Sequence, residues 1–164
     1  MGMSDAAIFA YYHIMNDLKQ RAESGDALAQ NELAASFLME EPPNFDEAAK
    51  WLRLAADQGD GGAQNNLGIL YLNGEGVKQG DKEAVKLFRK AAEQGIASAQ
   101  ANLGSCYAQG RGVPQNWEEA YFWWSVSFEA DEGAELLAEA ASHLTPQQKA
   151  DVARRIGESK SARP

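Results

Sequence analysis

A single cysteine, Cys106, stands in the 164 residues, so no internal disulfide can form and no cysteine-based metal cage can be assembled. The two histidines, His13 and His143, lie at no metal-ligand spacing from each other, and no cofactor is expected. β-Branched residues are scarce too: five Val, five Ile and Thr145, against 29 Ala. Ala loses no side-chain entropy in a helix, whereas branched side chains suit a pleated surface, so an all-β fold is excluded. Basic residues are in deficit, 15 Lys and Arg against 24 Asp and Glu, for a formal charge of -9. A nucleic-acid surface needs a basic stripe to release counterions from phosphate, and anionic membranes attract the same stripe; neither partner fits this chain. No apolar run approaches the roughly 18 residues of a spanning helix, and membrane insertion is not expected. Met1-Gly2-Met3-Ser4-Asp5 has no basic leader region, and Ala6 stands where a myristoylation motif needs Ser or Thr. The expected compartment is the cytoplasm, with the periplasm open to a form whose leader has been removed.

Against these absences stands a strong internal repeat. Ala63-Gln64-Asn65-Asn66-Leu67-Gly68-Ile69-Leu70-Tyr71 recurs 36 residues later as Ala99-Gln100-Ala101-Asn102-Leu103-Gly104-Ser105-Cys106-Tyr107, and an earlier copy starts at Ala29, 34 residues upstream. A second segment, Glu47-Ala48 to Ala55-Ala56, returns as Glu83-Ala84 to Ala91-Ala92, with a third version from Glu119-Ala120. Two helix-length segments in a period of this size define a helix-turn-helix repeat. Ala63, Leu67, Leu70 and Tyr71 fall on one helical face, and Ala84, Leu87, Phe88, Ala91 and Ala92 on another, so the paired helices bury these faces. Gly68, Gly104, Ala55, Ala91 and Ser127 are small enough for close approach. The intervening loops, Asn73-Gly74-Glu75-Gly76-Val77 and Gln109-Gly110-Arg111-Gly112-Val113-Pro114, each carry two turn glycines. In the first repeat Glu40-Glu41-Pro42-Pro43 replaces that loop, two residues shorter.

On these residues the chain resembles the Sel1-like repeat family, a relative of the tetratricopeptide repeats. The shared pattern is A-x-x-x-L-G-x-x-Y-x-x-G-x-G-V followed by a Glu-Ala-led helix ending in A-A-x-x-G. Repeat one departs from it at the loop, at Ala34 and at Phe37. The resemblance implies an all-α fold, a right-handed α/α superhelical solenoid of about three repeats with terminal capping helices. The expected organisation is a capping helix over 1–24, repeats over 25–58, 59–94 and 95–131, capping helices over 132–157 and a flexible tail over 158–164. Pro146 is expected in the first turn of the last helix.

Catalytic machinery is sparse. Cys106 aligns with Leu70 and Ser36 and reads as a small buried hydrophobe rather than a nucleophile. Glu118-Glu119 lie where a helix begins and suit its dipole better than acid-base work. The Gly-x-Gly loops have neither a preceding strand nor a Lys-Ser/Thr signature, so they are turns rather than phosphate cradles. The chain is expected not to be an enzyme.

Two surfaces remain. In the resembled class the first helix of each repeat lines the concave side, which places Asn31, Ala35, Leu38, Asn65, Ile69, Leu72, Ala101, Ser105 and Ala108 in a groove. Asn amides there can bond an extended backbone while the apolar residues receive side chains. The second surface breaks the repeat's rule, since Phe122 replaces Lys50 and Lys86, and Val126 replaces Lys90. Trp123 and Trp124 align with Leu87 and Phe88 and read as core, but Phe122 and Val126, in an aromatic stretch that runs from Trp117 to Phe128, face outward and need a cover. Either the C-terminal segment, through Leu136, Leu137, Leu144, Val152 and Ile156, folds over them, or they form a partner or homodimer contact. The resemblance implies a non-catalytic adaptor that binds a peptide or protein segment in the groove. The alternatives are a regulatory or immunity-type inhibitor acting through its acidic surface, and a β-lactam-binding or hydrolysing enzyme like cysteine-rich relatives. Those relatives carry two cysteines per repeat, and the Ser-x-x-Lys arrangement of β-lactam hydrolases is also missing here.

Overall fold

The computed structural model describes residues 5–127 and 133–161. Among them are nine helices and no strand: α1 (Asp5–Glu23), α2 (Ala27–Leu38), α3 (Phe45–Asp57), α4 (Gly61–Asn73), α5 (Asp81–Glu93), α6 (Ala97–Gln109), α7 (Trp117–Ser127), α8 (Ala134–Ser142) and α9 (Pro146–Ser161). The chain divides into two compact units, Met1–Gln79 and Gly80–Pro164.

In the first unit α1 packs on α2, α2 on α3 and α3 on α4. The small residues read from the sequence are the contact points: Ala29, Ala34, Ala48, Ala55 and Ala63 are fully buried beside Leu33, Leu52 and Leu67. Each chain reversal is closed by side chains. Asp26 accepts from the Ala29 N–H at 3.1 Å, and Asp60 accepts from the Ala63 N–H at 2.6 Å, which caps α2 and α4. Asn44 caps α3 by accepting from the Glu47 N–H at 3.2 Å. Gln30, in the second position after the capping turn, is buried and donates to the Ala22 carbonyl at 3.0 Å; Gln64 does the same to Ala56 at 3.2 Å. Each such bond spans eight residues and ties the end of one helix to the start of the next. α1 therefore occupies the place of a repeat's second helix, ahead of repeat one.

The shorter loop of repeat one keeps the same closure as its longer counterpart. The Asn44 N–H donates to Phe37 at 2.9 Å, and in the second unit the Asn116 N–H donates to Tyr107 at 3.0 Å. After α4 the loop needs glycine for a second reason besides turning. A Cβ on Gly76, whose φ is +64°, would lie 2.1 Å from the Phe45 carbonyl oxygen, and one on Gly112 would lie 2.3 Å from that of Asp81. Backbone meets backbone there, with no room for a side chain.

In the second unit α5 packs on α6, α6 on α7, and both α8 and α9 on α7. Gln100, 2% exposed, donates to the Ala92 carbonyl at 3.1 Å, which repeats the rule of the first unit. At α6, however, the capping aspartate has become Ile96, and no side chain caps the helix. Asn116 caps α7, accepting from the Glu118 and Glu119 N–H groups. α9 opens on a reciprocal cap: the Thr145 N–H donates to Gln148 Oε1 at 2.8 Å and the Gln148 N–H to Thr145 Oγ1 at 3.3 Å, with Pro146 in the first turn as the sequence predicts. Helix α9 runs on through Gly157 to Ser161, into the span expected as a tail. Residues 128–132, and with them Phe128, lie outside the described residues, as do 1–4 and 162–164.

Candidate functional site

The nine residues expected to line a groove fall into three groups. Ile69, on α4, is 37% exposed, while Leu67 and Leu70 on either side of it are buried. Ala35 and Leu38 on α2 and Leu72 on α4 are half-buried. Of these four apolar residues Ile69 is the most exposed. The two asparagines of the first unit make hydrogen bonds within it. Asn31 Nδ2 donates to Asp60 Oδ1 at 3.1 Å, and Asn31 Oδ1 accepts from Asn66 Nδ2 at 3.3 Å, so its amide ties α2 to the capped end of α4. Asn65 is 6% exposed and donates to Asn66 Oδ1 at 3.4 Å. The Asn31 amide bridges α2 and α4, whereas the Asn65 bond to its neighbour stays within α4. In the second unit Ala101 and Ser105 are half-buried, Ser105 Oγ donates to the Ala101 carbonyl at 3.0 Å, and Ala108 is buried.

The second expected interface is covered by the chain itself. Phe122 is 8% exposed, with the Arg155 guanidinium 4.1 Å above its ring. Arg155 also grips Glu119 through two contacts of 2.8 and 3.4 Å, so α9 is clamped across α7. Leu144 and Val152 are buried with it. Phe122 is thus covered within the chain, and the positively charged residue that covers it sits 33 positions away, beyond reach of a pattern based on the repeat. Val126 is half-buried in the wall of a cleft of about 320 Å³. Trp123 borders that cleft, and its buried Nε1–H has no acceptor among the described residues.

The chemistry-bearing groups are engaged structurally. Cys106 is buried, and burial pushes its thiol up to about 11. Glu119 is held by Arg155. His143 stacks on Trp117 with ring centroids 4.1 Å apart, and His13 stacks on Phe9. No group of three His, Cys, Asp or Glu able to hold a metal ion exists among the described residues. None of their helices is long and apolar enough to cross a membrane.

Two features escaped the sequence reading. In the first unit a cleft of about 410 Å³ opens between α1, α2 and α3, lined by Tyr12, Met15, Phe37 and Trp51 among others. It adjoins an α1 whose Phe9, Tyr12 and Ile14 are 76%, 69% and 64% exposed. Ile14 is the counterpart of Ala48, which is fully buried. In the second unit a cleft of about 350 Å³ lies among α6, α7 and α8. It contains Ser105 and Ala108, but its walls are Trp117, Trp124 and Leu136. The signal available in advance was the aromatic run of α7, read as core and cover rather than as the wall of a pocket.

Helix pairs tied by recurrent capping and glutamine bonds define an α/α repeat protein of the solenoid class. The chain belongs to the Sel1 repeat family: three Sel1 repeats match residues 27–60, 62–96 and 97–132. It is similar to c5321, a protective antigen present in uropathogenic Escherichia coli strains that displays an SLR fold, with 32% identity and a TM-score of 0.80 over 88% of this chain and 32% of that one. It is also similar to a Sel1 repeat protein from Oxalobacter formigenes, with 34% identity and a TM-score of 0.65 over 68% of this chain and 87% of that one. A sel1-like repeat-containing protein of Acanthamoeba polyphaga mimivirus shares 39% identity over 67 residues, 41% of this chain and 13% of the relative. The chain thus spans about an eighth of that relative and a third of c5321. Sel1 repeats commonly mediate protein–protein interaction, and proteins built from them are generally non-catalytic adaptors.

Proposed function

We propose that this chain is a non-catalytic interaction module that binds a protein or peptide segment on the open faces of its first helices. The observation that carries the reading is Ile69, a large apolar side chain 37% exposed on α4; Leu72 on the same helix and Ala35 and Leu38 on α2 are half-buried. A partner that covers the exposed part of Ile69 gains the free energy of apolar burial, about 25 cal/mol per Å². Affinity on this face comes from side-chain burial more than from bonds to asparagine amides, since Asn31 and Asn65 are engaged elsewhere. The engaged state of Cys106 and Glu119 supports the absence of catalysis in this reading.

The test is selection of binders from a random peptide library displayed on phage, followed by titration of a selected peptide against the full chain and its Ile69→Asp variant. A loss of tenfold or more in affinity, with an unchanged far-UV spectrum, is expected. Equal affinity for both proteins rejects the α4 face. A second reading, an inhibitor that meets a basic partner through the net charge of -9, predicts instead that affinity falls steeply with ionic strength and ignores Ile69.

A further inference from the structure

Each repeat buries one glutamine at the start of its first helix, and a buried amide needs partners at both its ends. Gln30, Gln64 and Gln100 all donate from Nε2 to a carbonyl in the last turn of the preceding helix. In repeat one the oxygen is met as well: Gln58, at the end of α3, donates from Nε2 to Gln30 Oε1 at 2.8 Å. Repeat two has Gln94 at the position of Gln58, but 36 residues further on the sequence has Ala130, which carries no amide. Gln100 is 2% exposed, and its Oε1 receives no hydrogen bond among the described residues. It lines the cleft of about 320 Å³ in the second unit, together with Trp123. Trp123 supplies a second unmet group, since it is 9% exposed and its Nε1–H has no acceptor among the described residues. An acceptor and a donor, each on a side chain more than nine-tenths buried, thus border one cleft without partners.

Two such groups select a ligand that donates and accepts at once. A carboxylate or phosphate would answer Trp123 alone, and it would enter past Glu93, exposed on the rim, with no basic residue on the lining to hold it. An ammonium or guanidinium would answer Gln100 alone, because it has no acceptor. A primary carboxamide answers both, with its NH₂ on Gln100 Oε1 and its carbonyl on the Trp123 Nε1–H. It is also the group that serves Gln30 in repeat one. Phe122 and Val126 complete the wall and suit an apolar stem. Nε1 lies just beneath the cleft surface, so the indole tilts towards the entering carbonyl, into the open volume beside it. We propose that this cleft receives a glutamine side chain of a bound polypeptide, which stands in for the amide that Ala130 does not carry. The proposal rests on the reading of the chain as a binder of protein segments and adds an anchor distinct from Ile69.

The probes are the N-acetyl methylamides of glutamine, methionine and glutamate, alike in length and in backbone amides, titrated into the full-length protein with the indole N–H signals followed by NMR. The glutamine probe moves the Trp123 signal downfield and saturates with a Kd of roughly millimolar size for a lone side chain. The methionine and glutamate probes bind at least fivefold more weakly. Trp123→Phe, followed through the Gln100 side-chain amide signals, raises the glutamine Kd fivefold or more without altering the far-UV spectrum. Methionine or glutamate matching glutamine, or a glutamine response that leaves Trp123 unmoved, overturns the proposal, and both are read on the unaltered chain. Ile69→Asp separates the two readings, because it abolishes peptide binding at the α4 face and leaves the glutamine titration unchanged. A selected peptide that depends on Ile69 while glutamine leaves Trp123 unmoved removes this anchor and leaves the adaptor reading standing.

Discussion

Replacing Gly104 with alanine reverses the usual effect of that substitution in a helix. In an exposed helical position the change stabilises by about 1 kcal/mol through propensity alone. Here the added methyl would lie 2.6 Å from Trp124 Cδ1 and 2.7 Å from its Nε1, against an ordinary contact of 3.4–4 Å. The indole cannot retreat freely, since it is 2% exposed, bonded to the Ala101 carbonyl and packed with Ala108, Ala120 and Ala140. Overpacking costs about 1–3 kcal/mol, and a broken bond from Trp124 adds about 1 kcal/mol. With the propensity gain subtracted, Gly104→Ala destabilises by about 1–3 kcal/mol, a shift of roughly 1 M in urea midpoint for a slope near 1–3 kcal/mol/M. The assay is urea unfolding followed by far-UV circular dichroism, on the wild type, Gly104→Ala, Trp124→Leu and the double variant. In the Trp124→Leu background the methyl has room, so Gly104→Ala becomes neutral or stabilising there. A Gly104→Ala protein as stable as the wild type, or a penalty that persists in the Trp124→Leu background, refutes the packing argument.

Three further outcomes follow from particular contacts. Ile96 occupies an N-cap with the same backbone geometry as Asp60, φ -69° and ψ 106° against -60° and 114°, so Ile96→Asp supplies the missing cap and stabilises by about 0.5–1 kcal/mol in the same urea assay. Arg155→Ala removes the half-exposed pair with Glu119 and the cation above Phe122, which lowers stability by about 1–2 kcal/mol; dye binding to exposed apolar surface rises with it, whereas an unchanged protein would show that α9 does not cover α7. Burial moves the Cys106 thiol from 9.0 to about 11, so its thiolate fraction at pH 8 falls about 100-fold and its reaction with a disulfide dye is slow until urea unfolds the chain. Because the folded state then holds the proton more tightly, the contribution of that thiol to stability is intact below pH 9 and declines as pH rises from 9 towards 11.

The helix pairs were legible because the repeat states each constraint several times. Ala29, Ala63 and Ala99 are all fully buried, and Gln30, Gln64 and Gln100 make the same eight-residue bond. What the repeat does not restate was read less well. Asn31 and Asn65 carry side chains able to serve either a ligand or a neighbouring helix, and only coordinates show that Asp60 and Asn66 claim them. Phe122 broke the repeat pattern, which signalled a missing cover, but the covering Arg155 lies on a segment outside the repeats. The cleft of the second unit was invisible for a related reason. Ser105, Trp117 and Leu136 come from three separate helices, and no spacing rule joins them.

The central claim is that partners meet the first-helix face of the repeats, and it is tested most directly by site-specific photo-crosslinking in the native cell. A benzoylphenylalanine is placed at Ile69 on α4, 37% exposed, or at Leu54 on α3, a second helix, 49% exposed. The account predicts a discrete protein adduct from position 69, lost when Leu72 is changed to Asp, and none from position 54. Adducts from position 54 alone, or of equal yield from both, would contradict it.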